Sequence, residues 1–235
     1  KDRQMTQNRL VLFDIDETMI SSDGAGRRAL SRALAKTHGL PPEASSIPMS
    51  GKTDPQIITE ILTAAGFSQE EAVASREEVI LNYLEALDEE IEKSTYYIIH
   101  PGVVELLTAL QAETRAFLGL LTGNVAPGAE KKLKRFQLFQ YFPIGAYGSD
   151  SACRLDLPAI AVERAREHFQ EQFSPRQVVI IGDSVNDIAC ARGYGAKAIA
   201  VNTGRTSWES LEKEKPCHLF KDLAVTDSVM EAIFS

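Results

Sequence analysis

Two carboxylates stand one residue apart at the end of an apolar run, Leu10-Val11-Leu12-Phe13-Asp14-Ile15-Asp16-Glu17-Thr18. On an extended chain, residues i and i+2 project to the same face. Asp14 and Asp16 are therefore expected to enter one site where a strand gives way to a loop. Brought together beside apolar residues, two such charges repel each other and lose water. A divalent cation or a shared proton relieves that cost. One carboxylate can then act as nucleophile or metal ligand while the other handles a proton.

The elements that would position this pair can be read from the rest of the chain. Apolar runs recur at 117–121, 144–147, 178–181 and 198–201, and three of them end in polar clusters: Thr122-Gly123-Asn124, Gly182-Asp183-Ser184 with Asp187 close behind, and Asn202-Thr203-Gly204. Uninterrupted apolar strands suit a parallel sheet covered on both faces. Helical patterns lie between them. Pro101 opens one that carries Val103, Val104, Leu106, Leu107 and Leu110; others span 128–139, follow Pro158, and run from Ser184 to near Gly193. Strand–helix alternation implies right-handed crossovers and an open α/β sheet, in which ligands bind beyond the carboxyl ends of the strands. Asp14/Asp16, Thr122–Asn124 and Asp183/Asp187 are thus expected to converge on one pocket. Residues 21–100 break the alternation and read as helices at 25–38, 55–65 and 69–93. The expected organisation is a core domain of 9–20 with 101–235, and an inserted helical domain of 21–100 that folds over the end of the first strand.

The formal net charge of -8 over 235 residues argues against broad nucleic-acid binding, which needs a basic face. It is compatible with a small anionic substrate, because a bound cation reverses the local field. No run of about 18 apolar residues suggests a membrane helix. The polar stretch 1–9 has neither an apolar signal core nor a Met at position 1, and is read as a trimmed or tagged end. Cys153, Cys190 and Cys217 show no metal-ligand spacing, so a reducing cytoplasm is the expected compartment. Oligomeric state, monomer or dimer, is left open.

Taken together, Asp14-Ile15-Asp16-Glu17-Thr18, Leu121-Thr122-Gly123-Asn124 and Gly182-Asp183-Ser184-Val185-Asn186-Asp187 resemble the motifs of the haloacid dehalogenase superfamily, and most closely its phosphoglycolate-phosphatase-like members. The resemblance spans nearly the whole chain. It implies a Rossmann-like core with an α-helical cap, and a Mg²⁺-dependent phosphatase acting on a small phosphorylated metabolite (phosphoglycolate-like or a sugar phosphate). Asp14 would be the nucleophile and Asp16 the general acid, then base. Mg²⁺ would be held by Asp14, Asp183 and the main-chain carbonyl of Asp16. Asp187 would orient metal-bound water or a neighbouring loop, or serve simply as a first-turn acid of its helix. Thr122, Gly123 and Asn124 would bind phosphate.

The superfamily's usual Lys is missing here. Arg154 stands closest to its position and, as a permanent cation that grips two oxygens, can take its role. Lys131, Lys132 and Lys134 are read as a solvated face. Glu17 stands where many relatives carry Gly. In the cap, Lys52 of Ser50-Gly51-Lys52-Thr53-Asp54-Pro55 is the candidate for substrate contact, with Arg27 and Arg28 weaker. The same motifs also serve phosphomutases, an alternative function. A non-catalytic binding module has its only support in the missing Lys, and metal-free dehalogenation is disfavoured by Asp16 and the full acidic set.

Overall fold

The computed structural model describes residues 7–235; residues 1–6 of the amino-terminal stretch read above as trimmed or tagged lie outside the described residues. Six strands form one parallel sheet: β1 (Arg9–Phe13), β4 (Ala116–Leu121), β5 (Ile144–Ala146), β6 (Val178–Gly182), β7 (Lys197–Val201) and β8 (His218–Phe220). Their order is β5-β4-β1-β6-β7-β8. β1 is central, with Leu12 opposite Gly119 on one side and Ile180 on the other. The edge strand β8 carries only partly buried residues, and its short sequence gave too little apolar signal to be expected.

Both faces are covered, as the unbroken apolar strands require. Val11 and Phe13 pack with Leu106, Leu107 and Leu110 of α5 (Val103–Ala112), Leu133 of α6 (Ala126–Lys134), and Val229 and Ile233 of α10 (Thr226–Phe234). Leu10 and Leu12 pack on the opposite side with Leu157 and Ala161 of α7 (Leu157–Phe169), Ile188 and Ala191 of α8 (Val185–Tyr194), and Leu211 of α9 (Trp208–Lys213). Each fully buried Leu, Ile or Phe contributes about 1.5–3 kcal/mol of transfer free energy, so the alternation of β1 between the two clusters fixes its register. α6 starts two residues earlier than expected, with Pro127 in its first turn, and stops at Lys134 instead of reaching 139. Residues 139–141 form a separate 3₁₀ turn.

The chain leaves the sheet through β2 (Ile20–Ser21) and returns through β3 (Ile98–Ile99). These two pair antiparallel, and the His100 N–H donates to the Met19 carbonyl at 2.9 Å. Between them lie α1 (Ala25–His38), α2 (Asp54–Ala64), α3 (Gln69–Ala74) and α4 (Arg76–Lys93). α1 ends at Gly39 in the left-handed region, φ 65°, a conformation glycine adopts without steric cost. The single helix expected over 69–93 is divided at Ser75. Its hydroxyl bonds back to the Glu71 carbonyl at 2.9 Å, a contact that bends helices, and Arg76 Nε then reaches Thr59 Oγ1 on α2 at 2.7 Å. Leu30, Leu34, Ile58, Leu62, Val79 and Leu87 of this helical cap belong to the same apolar cluster as Val11 and Phe13. Among the described residues, no helix is long and apolar enough to cross a membrane.

Candidate active site

β1 stops at Phe13, but the Asp14 N–H still donates to the Ile181 carbonyl of β6 at 3.0 Å. That bond holds the Asp14 side chain at the carboxyl edge of the sheet. β6 ends one residue before Asp183, and Ser184 caps α8: its hydroxyl accepts from the Asp187 N–H, and the Asp187 carboxylate accepts from the Ser184 N–H at 3.0 Å and Oγ at 2.6 Å. Two strand ends thereby bring carboxylate oxygens of Asp14, Asp183 and Asp187 within 4.8 Å of one another, all buried. Thr18 Oγ1 donates to Asp183 Oδ1 at 3.1 Å.

Arg154 is the cation of this cluster. It is 6% exposed and lies 3.1 Å from Asp14 Oδ1 and 2.5 Å from Asp187 Oδ1. Its Nε is buried without a hydrogen-bond partner. Burial raises the Asp14 pKa to about 6; Arg154 opposes that rise, while Asp187 and Asp16 add to it. Burial, then Asp187 and Asp14, push Asp183 well above the usual carboxylate range. Three crowded acids facing one guanidinium are short of positive charge. The hard-oxygen donor set suits a divalent cation, and binding one would relieve the burial and repulsion that raise Asp14 and Asp183.

Asp16 takes a different direction from Asp14, although both face one cavity of about 460 Å³. Its carboxylate receives Lys132 Nζ at 2.8 and 2.7 Å and Asn124 Nδ2 at 2.7 Å. Lys132 also donates to Asn124 Oδ1 at 2.6 Å. Burial works against the Asp16 charge, yet Lys132 and the hydrogen bonds from Asn124 and Ser22 hold its pKa below the ordinary value. Lys132 is correspondingly raised, because Asp16 and Asp54 outweigh its own burial. The expected solvated face therefore needs correcting: Lys132 is 5% exposed. Lys131 does turn outward, to Asp88, and Lys134 is exposed. A signal was present in the sequence, since Lys132 falls beside Ala129 and Leu133 on the apolar stripe of α6. A Lys within three closely spaced Lys residues reads as solvated unless its inward partner is known.

Thr122 is fully buried, and its hydroxyl oxygen accepts from the Asn124 side chain at 2.8 Å and main chain at 3.3 Å. Its own proton is thereby left to donate into the cavity. Gly123 lies under the cap: a Cβ there would come within 2.0 Å of the Lys52 carbonyl oxygen. The Asp54 N–H donates to the Gly123 carbonyl at 2.7 Å, and the Val125 N–H donates to Asp54 Oδ2 at 2.9 Å. Thr53 Oγ1 reaches the Ala152 carbonyl at 2.7 Å, and Asn186 Nδ2 reaches Ser50 O at 3.0 Å. The cap loop is therefore closed on the core. Lys52 lines the cavity, but its Nζ pairs with Glu60 at 2.5 Å. Of the two cap arginines named as weaker candidates, Arg28 pairs with Glu90, whereas Arg27 lines the cavity.

Two positions carry backbone reasons that residue type alone hides. Glu17 has φ 60°, the left-handed region that favours glycine. Gly204 follows β7, and a Cβ on it would lie 1.8 Å from Asp183 Oδ2. Any side chain there would have to displace the Asp183 carboxylate.

The sequence signature of haloacid dehalogenase-like hydrolases matches residues 8–195. The chain belongs to this family. Among curated relatives it is 28% identical over 215 residues to a protein of Caldanaerobacter subterraneus provisionally named as the pyrophosphatase PpaX, covering 91% of this chain and 90% of that one. It is 26% identical over 233 residues to the phosphoglycolate phosphatase of Haemophilus influenzae, covering 93% and 96%. A hydrolase from Pseudomonas syringae shares the fold, with TM-score 0.74 at 21% identity over 97% of this chain and 100% of that one. This haloacid dehalogenase-like hydrolase is thus an enzyme of the phosphatase type, allied to the phosphoglycolate-phosphatase-like subgroup.

Proposed function

We propose that the chain is a Mg²⁺-dependent phosphomonoester hydrolase acting on a small phosphorylated metabolite in a reducing, cytoplasmic setting, through an aspartyl-phosphate on Asp14. The observation that carries this reading is the division of labour between adjacent carboxylates. Asp14 faces the acidic cluster, and Asp16, two residues on, faces Lys132 and Asn124 across the same cavity.

A carboxylate oxygen of Asp14 attacks phosphorus, and the bond from phosphorus to the leaving oxygen breaks. Asp16 gives that oxygen a proton. Water then attacks the phosphorus of the aspartyl-phosphate, Asp16 takes the water's proton, and inorganic phosphate leaves with Asp14 restored. Mg²⁺, held by Asp14, Asp183, the Asp16 carbonyl and the neighbourhood of Asp187, would supply charge neutralisation for the phosphoryl oxygens. Arg154 adds a fixed positive charge beside Asp14, while the Thr122 hydroxyl and the main chain of Gly123 and Asn124 orient the phosphoryl group. Lys52 would contact the substrate after leaving Glu60.

Asp14→Asn is expected to abolish Mg²⁺-dependent phosphate release from an aryl phosphate, by roughly 10⁴-fold or more, while its circular dichroism and melting remain those of a folded chain. Near-native turnover by that variant would defeat the proposal. Isomerised sugar phosphate in place of free phosphate would instead make the chain a mutase.

A further inference from the structure

Five cationic side chains line the cavity: Arg27, Lys52, Lys132, Arg154 and Arg205. Three already face carboxylates. Lys52 pairs with Glu60, Lys132 with Asp16, and Arg154 with Asp14 and Asp187. Among the described residues, Arg27 and Arg205 have no carboxylate within ion-pair distance. They come from opposite sides of the cleft, Arg27 from α1 of the cap and Arg205 from the loop after β7.

Arg27 is held by its own side chain, and the exposed Arg205 by the loop that carries it. Arg27 Nη1 donates to the Ser45 carbonyl and, at 3.1 Å, to the Ile47 carbonyl, which fixes a half-buried guanidinium against the cavity wall. Arg205 follows Gly204, the residue that packs on Asp183, and its loop is tied by Thr203 Oγ1 to the Glu17 carbonyl and by Asn202 Nδ2 to the Thr206 carbonyl at 2.7 Å. Burial, and after it the like charge of Arg205, pull the Arg27 pKa down. Two guanidiniums that line one cavity without an acid partner are complementary to an anionic group with two or more oxygens.

We propose that Arg27 and Arg205 form a clamp for a second anionic group on the substrate, a carboxylate or a further phosphate, so that the preferred substrates are phosphomonoesters carrying a second negative charge. The inference rests on the phosphatase reading above and adds its substrate class. A ligand spanning the two arginines ties cap to core, so its second charge also favours the closed cleft over the acidic cluster.

The test uses the full chain with Mg²⁺ and two matched pairs. Glycerate 3-phosphate against glycerol 3-phosphate isolates a carboxylate; fructose 1,6-bisphosphate against fructose 6-phosphate isolates a phosphate. The doubly anionic member of at least one pair is expected to lead in kcat/KM by about tenfold or more. Whichever pair shows the lead identifies the anion. Arg205→Gln and Arg27→Gln should shrink that lead mainly through KM, and Arg205→Lys should restore part of it. Because Arg27 also ties two cap carbonyls, the exposed Arg205 keeps the test independent of folding. Calorimetric binding of the same pairs to the Asp14→Asn chain reads the clamp without turnover. Phosphate release from aryl phosphate with no preference in either pair, or a preference unchanged in both glutamine variants, overturns the clamp alone. Absence of phosphate release from every ester overturns the phosphatase reading, and the binding preference then still decides the clamp.

Discussion

In the reaction proposed above, Lys132 sets what Asp16 can do. A general acid and base must hold a proton in one half-reaction and lose it in the other, and the ammonium 2.7 Å away keeps this carboxylate ionised to lower pH than usual. A depressed carboxylate pKa contributes stability above the unfolded value of 3.8 that is lost as pH falls through the folded value. In the step where Asp16 takes the water's proton it must be ionised, so with that step limiting, Lys132→Met should move the acid limb of the pH–rate profile upward and lower kcat about 100-fold. A limb that stays in place would free Asp16 from Lys132. Asp16 is 36% exposed, so the stability lost should be only about 1–2 kcal/mol, below that of a fully buried pair. Gly204→Ala tests the loop that covers the acids. Its Cβ would overlap Asp183 Oδ2, so half-maximal activation should require about tenfold more Mg²⁺, measured as rate against metal concentration. The acids were legible because each ends an apolar strand run. Lys132 left only its place on the apolar stripe of α6, outweighed by its two neighbouring lysines, and its partner Asp16 lies more than a hundred residues away; Gly204 left no trace, since its contact runs from the loop after β7 to the one after β6.

At the scale of elements, the seam between the α2 entry loop and the motif after β4 joins cap to core beside the cavity. Asp54 sits in that seam, accepting from the Val125 N–H at 2.9 Å. Burial raises its pKa to about 6 from 3.8, with Lys132 and Val125 opposing the rise. A raised carboxylate means that the folded chain binds more protons than the unfolded one over this range. Its charge thus costs stability fully above pH 6, and the cost fades as pH falls towards 4. Asp54→Asn keeps an oxygen for Val125 and removes the charge. Denaturant melts of both proteins should show the variant gaining about 1–2 kcal/mol relative to wild type between pH 4 and 7, a value reduced for the partial exposure of the site. A pH-independent difference would remove Asp54 from the seam's energetics. The helices were largely readable from period and caps: α1 spans the expected 25–38. The break at Ser75 and the pairing of β2 with β3 depend on a hydroxyl back-bond and on two-residue strands, which are too local to leave a periodic trace.

For the whole molecule, the net charge of -8 and the buried cluster of Asp14, Asp183 and Asp187 bear on stability together. The unfolded chain cannot assemble these carboxylates, so a cation bound among them adds to the stability of the folded state alone. At a hundredfold excess over Kd that amounts to about 2.7 kcal/mol, or roughly 5–10 °C in Tm for a chain of this size. Asp183→Asn removes one of three crowded charges, one that burial and its neighbours already disfavour. Two opposite effects should follow in the variant: a higher Tm than wild type without metal, because repulsion is relieved, and a Mg²⁺-induced rise that is largely lost, because a ligand is gone. Differential scanning calorimetry of both proteins with chelator and with Mg²⁺ separates them. If Asp183→Asn melted lower than wild type in chelator, the cluster would be held by its own hydrogen bonds to Thr18 and Arg154's charge rather than awaiting a cation. The crowding of acids at the end of this sheet, stability given up at the proposed reaction site, would then need another cause.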